Sequence, residues 1–451
     1  MALGLTTVPE DMGFAVVAGV AVFILAFVSA DVGIYILIFS MLLSPEILIG
    51  GLGGERTTAG RGVTLRTEDF LLVLLAFAWL VRTAVNKELG LVRNTPLNRP
   101  IGYYSVACIF ATGMGMILGD VKGITGFFFV LKYIEYFVVF FMVVNNVQSR
   151  AQIQRYTIAM LLTALIVSMV GIAQIPSGER VSAPFEGGAG EPNTFGGYLL
   201  LMGAVTAGLA FQITNRRFSL LLGGLVSFLT LPFLATLSRA SYLGLPFAYF
   251  AFLVLHRKRR STMLILLFAL VGLGTVAVPD SVRDRVMYTF EQADYRGQLR
   301  VGGVKLDTST SARLKNWGES VVDFLASPLW GFGVTGYKFI DAQYPRVLVE
   351  TGLLGLGTFF ALIYAIYRES LRLFRESKDT LFRGLAMGLV AGLTGILVHV
   401  LGSNTFTIVR IMEPFWLVTG LVVAAGELER KESEMNTGHA DQAVPQHSRM
   451  V

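Results

Sequence analysis

Charge is scarce in this chain. Asp, Glu, Lys and Arg make up 15% of its 451 residues, against roughly 25% in a typical soluble protein, so most of its surface faces something other than water. Cysteine is nearly absent: Cys108 stands alone inside an apolar run, which excludes an intramolecular disulfide. The histidines are His256, His399, His439 and His447, and no Cys, His or Asp cluster has metal-ligand spacing, so no metal and no cofactor are expected. Local spacing assembles no serine or cysteine triad. The first apolar run follows Glu10 and Asp11 and no basic region, which speaks against a cleaved signal peptide. Alternating polarity is missing, which excludes a membrane β-barrel. The absence of a visible internal repeat counts against a transporter.

What is present is apolar sequence, 54% of the chain, with a mean hydropathy of +0.63. Apolar runs cover 13–30, 32–49, 70–85, 101–118, 124–144, 156–175, 194–213, 219–237, 242–255, 263–278, 346–367, 385–401 and 411–425. They approach the ~20 residues that span a bilayer. Backbone groups in lipid must be satisfied within their own segment, so the runs are read as helices. The expected fold is an all-α, polytopic membrane protein with about 12–14 transmembrane helices. Helices fill 1–278 and 346–426, a large, partly helical extracytoplasmic loop fills 279–345, and a disordered cytoplasmic tail covers 427–451.

The net charge of +6 does not point to nucleic acid, because the basic residues sit in short connections between apolar runs, where they set membrane orientation. Placing 87–99, 150–155, 215–217, 256–260 and 368–383 in the cytoplasm puts the N-terminus outside and the tail inside. The connections 176–193, 238, 279–345 and 402–408 then share the outer side. Asp31 alone separates the first two runs; a re-entrant opening pair would bring the N-terminus inside. The 279–345 loop carries eight basic and eight acidic residues together with aromatics, a balance that predicts folded structure and not a tether.

Ionisable groups within spans cost roughly 2.5 to 3.5 kcal/mol each, so each needs a partner or a task. Lys132 and Glu135 lie three apart on one helical face, as do Arg410 and Glu413; both read as structural ion pairs or as walls of a polar cavity. Arg239 lies between two runs with no acidic residue within a turn, suited to an anion through its planar fork or to snorkelling among headgroups. Arg313 follows the polar stretch 307–312, which can cap a helix; an ordinary solvated arginine is the other reading. Gly331-Phe-Gly333-Val-Thr-Gly336 spells GxGxxG, but it lies outside any strand–turn–helix unit and reads as a tight turn feeding Tyr337.

Four ordered stretches carry a family resemblance: Glu191-Pro-Asn-Thr-Phe-Gly-Gly-Tyr-Leu199; Leu237-Ser-Arg-Ala-Ser-Tyr-Leu-Gly244; Ser311-Ala-Arg-Leu-Lys-Asn-Trp317 with Pro328-Leu-Trp-Gly-Phe-Gly333; and Tyr344-Pro-Arg-Val-Leu-Val-Glu-Thr-Gly-Leu-Leu-Gly355. Over roughly 190–416 the chain resembles the O-antigen ligase and Wzy-type polymerase superfamily, bacterial glycosyltransferases of GT-C-like membrane fold. The resemblance implies metal-independent, inverting transfer of a glycan from an undecaprenyl-diphosphate carrier to an acceptor hydroxyl, on the periplasmic side of the inner membrane.

It further implies that Arg239 and Arg313 engage the diphosphate, with Asn193, Lys315, Tyr344 and Arg346 as further substrate contacts. Ligases carry a histidine where Asp341 aligns, which favours a polysaccharide polymerase acting on an acceptor glycan. The alternative is a ligase acting on lipid A core, or a protein O-oligosaccharyltransferase. A flippase or other transporter, or a purely structural member of an assembly complex, are the readings of another class. Membrane lipid, a flippase and a chain-length regulator are the implied partners, and no nucleic acid is.

Overall fold

A computed structural model of the chain describes residues 10–44, 67–85, 93–184, 190–256, 260–261, 263–265, 280–293 and 297–442. Among the described residues the apolar runs fold as helix: α1 (Glu10–Val28), α2 (Ala30–Leu43), α3 (Thr67–Val85), α4 (Asn98–Leu118), α5 (Gly123–Asn146), α6 (Arg150–Gln174), α7 (Pro192–Gln212), α8 (Arg216–Ala235) and α9 (Arg239–Leu255). After these come α10 (Asp280–Glu291), the two-residue strands β1 (Arg300–Val301) and β2 (Val304–Lys305), α11 (Thr308–Asp323), α12 (Gln343–Glu376), α13 (Thr380–His399) and α14 (Val409–Gln442). Among the described residues, eight helices (α4 to α8 and α12 to α14) are long and apolar enough to cross a membrane, and four shorter apolar segments lie in α1, α2, α3 and α9. The run expected at 263–278 lies mostly outside the described residues.

Local signals start these helices where the sequence changes character. Ser149 and Gln152 form a reciprocal capping box at α6. Asn215 caps α8 and Asp379 caps α13. Pro192 occupies the first position of α7, where its missing N–H costs nothing.

Contacts sort the connections to two ends of the bundle. At one end Arg93 donates to the carbonyls of Val144 (3.1 Å) and Val147 (3.2 Å). Arg150 pairs with Asp379, and Arg383 reaches Gln212 at 3.2 Å. Asp31 joins this basic end through Tyr156 (2.5 Å) and Arg155 (3.6 Å). At the other end the fully buried Arg410 donates to the carbonyls of Ser44 (3.2 Å) and Pro184 (3.0 Å). The two ends of α2 therefore lie at opposite ends of the bundle.

The core is built on close helix crossings. A Cβ on Gly208 of α7 would stand 2.5 Å from the Gly384 carbonyl and the Gly388 nitrogen of α13. Small residues are what let helices approach in lipid, where dispersion contacts replace the hydrophobic drive. α12 breaks at Gly352 (φ 63°, ψ −164°). The break admits residues 328–330, with Leu353 and Leu354 donating to the carbonyls of Pro328 and Leu329 at 2.9 and 3.2 Å. The GxGxxG turn packs on the same break, Phe332 and Gly333 donating to Val349 (2.8 Å) and Glu350 (2.9 Å).

Of the tail 427–451, expected to be disordered from its polar composition, residues 427–442 continue α14 as helix and 443–451 lie outside the described residues. The reason is visible in the spacing: Arg430 pairs with Glu427 at 3.1 Å and with Glu434 at 3.9 Å, one turn to either side.

Candidate active site

Arg239 opens α9 after a strained turn. Leu237 takes a left-handed φ of 50°, which costs of order 1–3 kcal/mol in a non-glycine residue and needs surrounding support. Arg180 supplies it, donating through Nε to the Thr236 carbonyl at 3.0 Å and through Nη2 to the Leu237 carbonyl at 3.4 Å. Ser238 then caps α9, accepting from the Ser241 backbone at 3.3 Å. The Arg239 side chain points toward the 280–323 region, donating to Thr289 Oγ1 at 2.6 Å and to Asp307 Oδ2 at 2.8 Å. The arginine without an acidic neighbour in sequence thus has one in space, 68 residues on.

Asp307 is almost fully buried. Its second oxygen accepts from the Thr310 backbone at 3.2 Å and caps α11. Burial pushes its carboxyl up, but the hydrogen bonds from Arg239 and Thr310 prevail and hold it below the usual carboxylate range. From the cap, α11 runs to Arg313, whose Nη2 donates to Asp341 Oδ2 at 3.1 Å. Arg313 Nε is buried and has no hydrogen-bond partner among the described residues.

The turn between α13 and α14 closes the site. Gly402 brings the two arginine elements together: a Cβ there would stand 3.4 Å from Ala240 Cβ and 4.0 Å from Arg313 Cζ. Asn404 donates to the Ile340 carbonyl at 2.5 Å, and the Gln343 side chain accepts from Phe406 N at 3.2 Å. His399, fully buried, holds Thr405 of the same turn at 2.6 Å. These bonds fix the segment that carries Asp341.

Two further arginines join the cluster, and motif spacing did not single them out. Arg180 also reaches Asn193 Oδ1 at 3.3 Å. Arg285, on α10, has a buried Nε with no partner among the described residues. Burial lowers both guanidinium pKa values below the ordinary arginine value, and mutual repulsion adds to it: Arg180 feels Arg285 and Arg239, and Arg285 feels Arg239. Neither is hydrogen-bonded to a carboxylate among the described residues. Four arginines with two paired carboxylates leave an excess of positive charge suited to a multiply charged anion.

The remaining sequence candidates take other places. Lys315 lies on the exposed side of α11, 3.8 Å from Glu319. Tyr344 donates to the Leu397 carbonyl at 2.6 Å and stacks on Phe360. Arg346 is buried, bonded to Glu350 at 3.1 Å and lying over Tyr133 and Phe339, so its charge is already matched. Among the described residues no group of three His, Cys, Asp or Glu is placed to hold a metal ion.

Residues 224–360 match the Wzy_C family model, described as O-Antigen ligase. The matched stretch contains Arg239, Arg285, Asp307, Arg313 and Asp341, and it supports the resemblance to the O-antigen ligase and Wzy-type superfamily. No curated protein matches the chain.

Proposed function

We propose, starting from that match, that the chain is a Wzy-type polysaccharide polymerase of the bacterial inner membrane. In this reading it transfers a glycan from an undecaprenyl-diphosphate-linked donor to the hydroxyl of an acceptor glycan. The observation that carries the reading is the Arg313–Asp341 contact of 3.1 Å beside the Arg239–Asp307 pair. An anion-binding group and a carboxylate stand side by side at the end of the bundle opposite the basic connections, and the bias of Lys and Arg toward the cytoplasmic side supports an outward-facing site.

The reaction is a displacement with inversion. The acceptor oxygen bonds to the anomeric carbon, the bond from that carbon to the diphosphate oxygen breaks, and the diphosphate leaves on its lipid. Arg239 and Arg313, with Arg180 and Arg285 behind them, stabilise the charge that develops on the leaving group. Asp341 orients the attacking hydroxyl and receives its proton. Asn193 lies at the edge of this site through Arg180. A flippase delivering the lipid-linked units and a regulator of chain length are the partners such a reaction calls for.

The second reading is a ligase that transfers the glycan to lipid A core. Asp341 at the position where ligases carry histidine favours the polymerase. Purified protein in nanodiscs, given a diphospholipid-linked repeat unit with and without lipid A core, separates the two. Polymerisation gives a ladder without core; product only when core is added establishes the ligase, and no product in either arm refutes both.

A further inference from the structure

Helix α11 and the turn after it carry an apolar stripe that the other described residues leave uncovered. Leu314, Val321, Val322 and Leu325 are 43%, 55%, 67% and 71% exposed. Their spacing places them on one helical face. The stripe continues into Leu329, 52% exposed. Scattered apolar residues on a soluble surface need no explanation, but a contiguous stripe marks a contact.

The depth of that stripe identifies the contact. Leu353 and Leu354 donate to the carbonyls of Pro328 and Leu329, and both lie on the spanning helix α12 with about half their surface exposed. From Leu353 to the first basic residue at the other end, Arg368, the helix is about 22 Å long at ~1.5 Å per residue. That is shorter than the ~30 Å thickness of the hydrocarbon core, so Leu329 lies within reach of acyl chains. Trp330 meets Phe110 of the spanning helix α4 edge to face at 6.4 Å, and Trp is the residue favoured at the membrane–water boundary.

We propose that α11 and the turn Phe324–Ala326 after it are seated in the outer leaflet, with lipid acyl chains covering the stripe. Lys315 and Glu319, paired at 3.8 Å on its flank, fall at headgroup level. Arg313 immediately precedes Leu314, so seating the stripe fixes the Arg313–Asp341 pair at the depth where the headgroup of any lipid-linked molecule lies. The inference rests on exposure and depth and stands apart from the proposed transfer reaction.

Cys108 is buried, so an environment-sensitive bimane label can be placed on new cysteines in the full chain. Val322→Cys and Leu325→Cys, labelled and reconstituted in phosphatidylcholine vesicles, are expected to emit to the blue and to lose at least half their intensity to lipids brominated on the acyl chains, with little loss to iodide. Ala312→Cys, on the opposite flank, calibrates the water-facing response. Quenching of the Val322 and Leu325 labels by iodide and not by brominated lipid overturns the proposal, as does blue emission that neither agent quenches, which would mean that protein covers the stripe.

Discussion

Asp307 receives Arg239 Nη2 at 2.8 Å on one carboxylate oxygen while the other caps α11 at the Thr310 nitrogen. One buried side chain thereby ties the start of the apolar helix α9 to the helix that carries Arg313. Removing one partner of a buried ion pair costs about 3–5 kcal/mol, because the other charge is left unmatched.

Asp307→Asn keeps an N-cap but loses the charge. The expected outcome is a 280–323 region cleaved faster by protease, in a protein whose membrane helices stay intact by circular dichroism. Because the folded Asp307 carboxyl is held low, its contribution is present above the unfolded value of ~3.9 and is lost as pH falls through the lower folded value. Wild-type protease resistance should therefore hold from neutral pH to about pH 5 and fall only below about pH 4, while the asparagine variant shows no such acid step from this site. Equal cleavage of the two proteins at neutral pH would contradict the tie.

Arg313 separates charge from geometry. Arg313→Lys keeps the charge but loses the planar fork, and transfer is expected to fall about 10- to 100-fold, a loss of roughly 1.4 to 2.7 kcal/mol of transition-state stabilisation. Asp341→Asn is expected to lower the turnover number while leaving donor binding in place. Initial rates against donor concentration check both, and wild-type kinetics in either variant would remove that residue from the site.

Among the described residues Arg285 touches no carboxylate by hydrogen bond and its buried Nε has no hydrogen-bond partner, so in the proposed reading it holds the donor's anion. Arg285→Gln is expected to raise KM for the lipid-diphosphate donor several-fold, about 1 kcal/mol of binding, with a smaller change in kcat. A KM equal to the wild type would place the donor elsewhere.

Gly352 tests the break that seats residues 328–330. Its φ of 63° disfavours any side chain, and an added Cβ would stand 2.4 Å from the Leu329 carbonyl carbon and oxygen. Gly352→Ala should cost on the order of 2 kcal/mol or more through overpacking and backbone strain, read as a lower melting temperature in detergent. An unchanged melting temperature would mean that α12 is not broken there.

The fold was legible because lipid leaves an apolar run only one way to satisfy its backbone. The long apolar helices and the gathering of basic connections at one end of the bundle follow from run length and the placement of Lys and Arg. The contacts of the candidate site were less legible, because they join distant segments: Asp307 lies 68 residues beyond Arg239, and Arg180 meets the Thr236 carbonyl across 56. Motif order could nominate Arg313 and Asp341, but their contact spans 28 residues and no spacing rule reaches that far. Arg346 and Glu350, by contrast, sit at i,i+4, and their pairing was available from the sequence. In the tail the same rule was outweighed by polar composition.

The diphosphate site is tested most directly by following transfer from a radiolabelled lipid-diphosphate-linked repeat unit in nanodiscs, with wild type beside Arg239→Ala and Arg313→Ala variants that retain the wild-type helical content and elution profile. The expected result is a ladder of lengthening glycans from the wild type and no product from either variant. Undiminished product from both variants would contradict the assignment of these arginines to the leaving diphosphate.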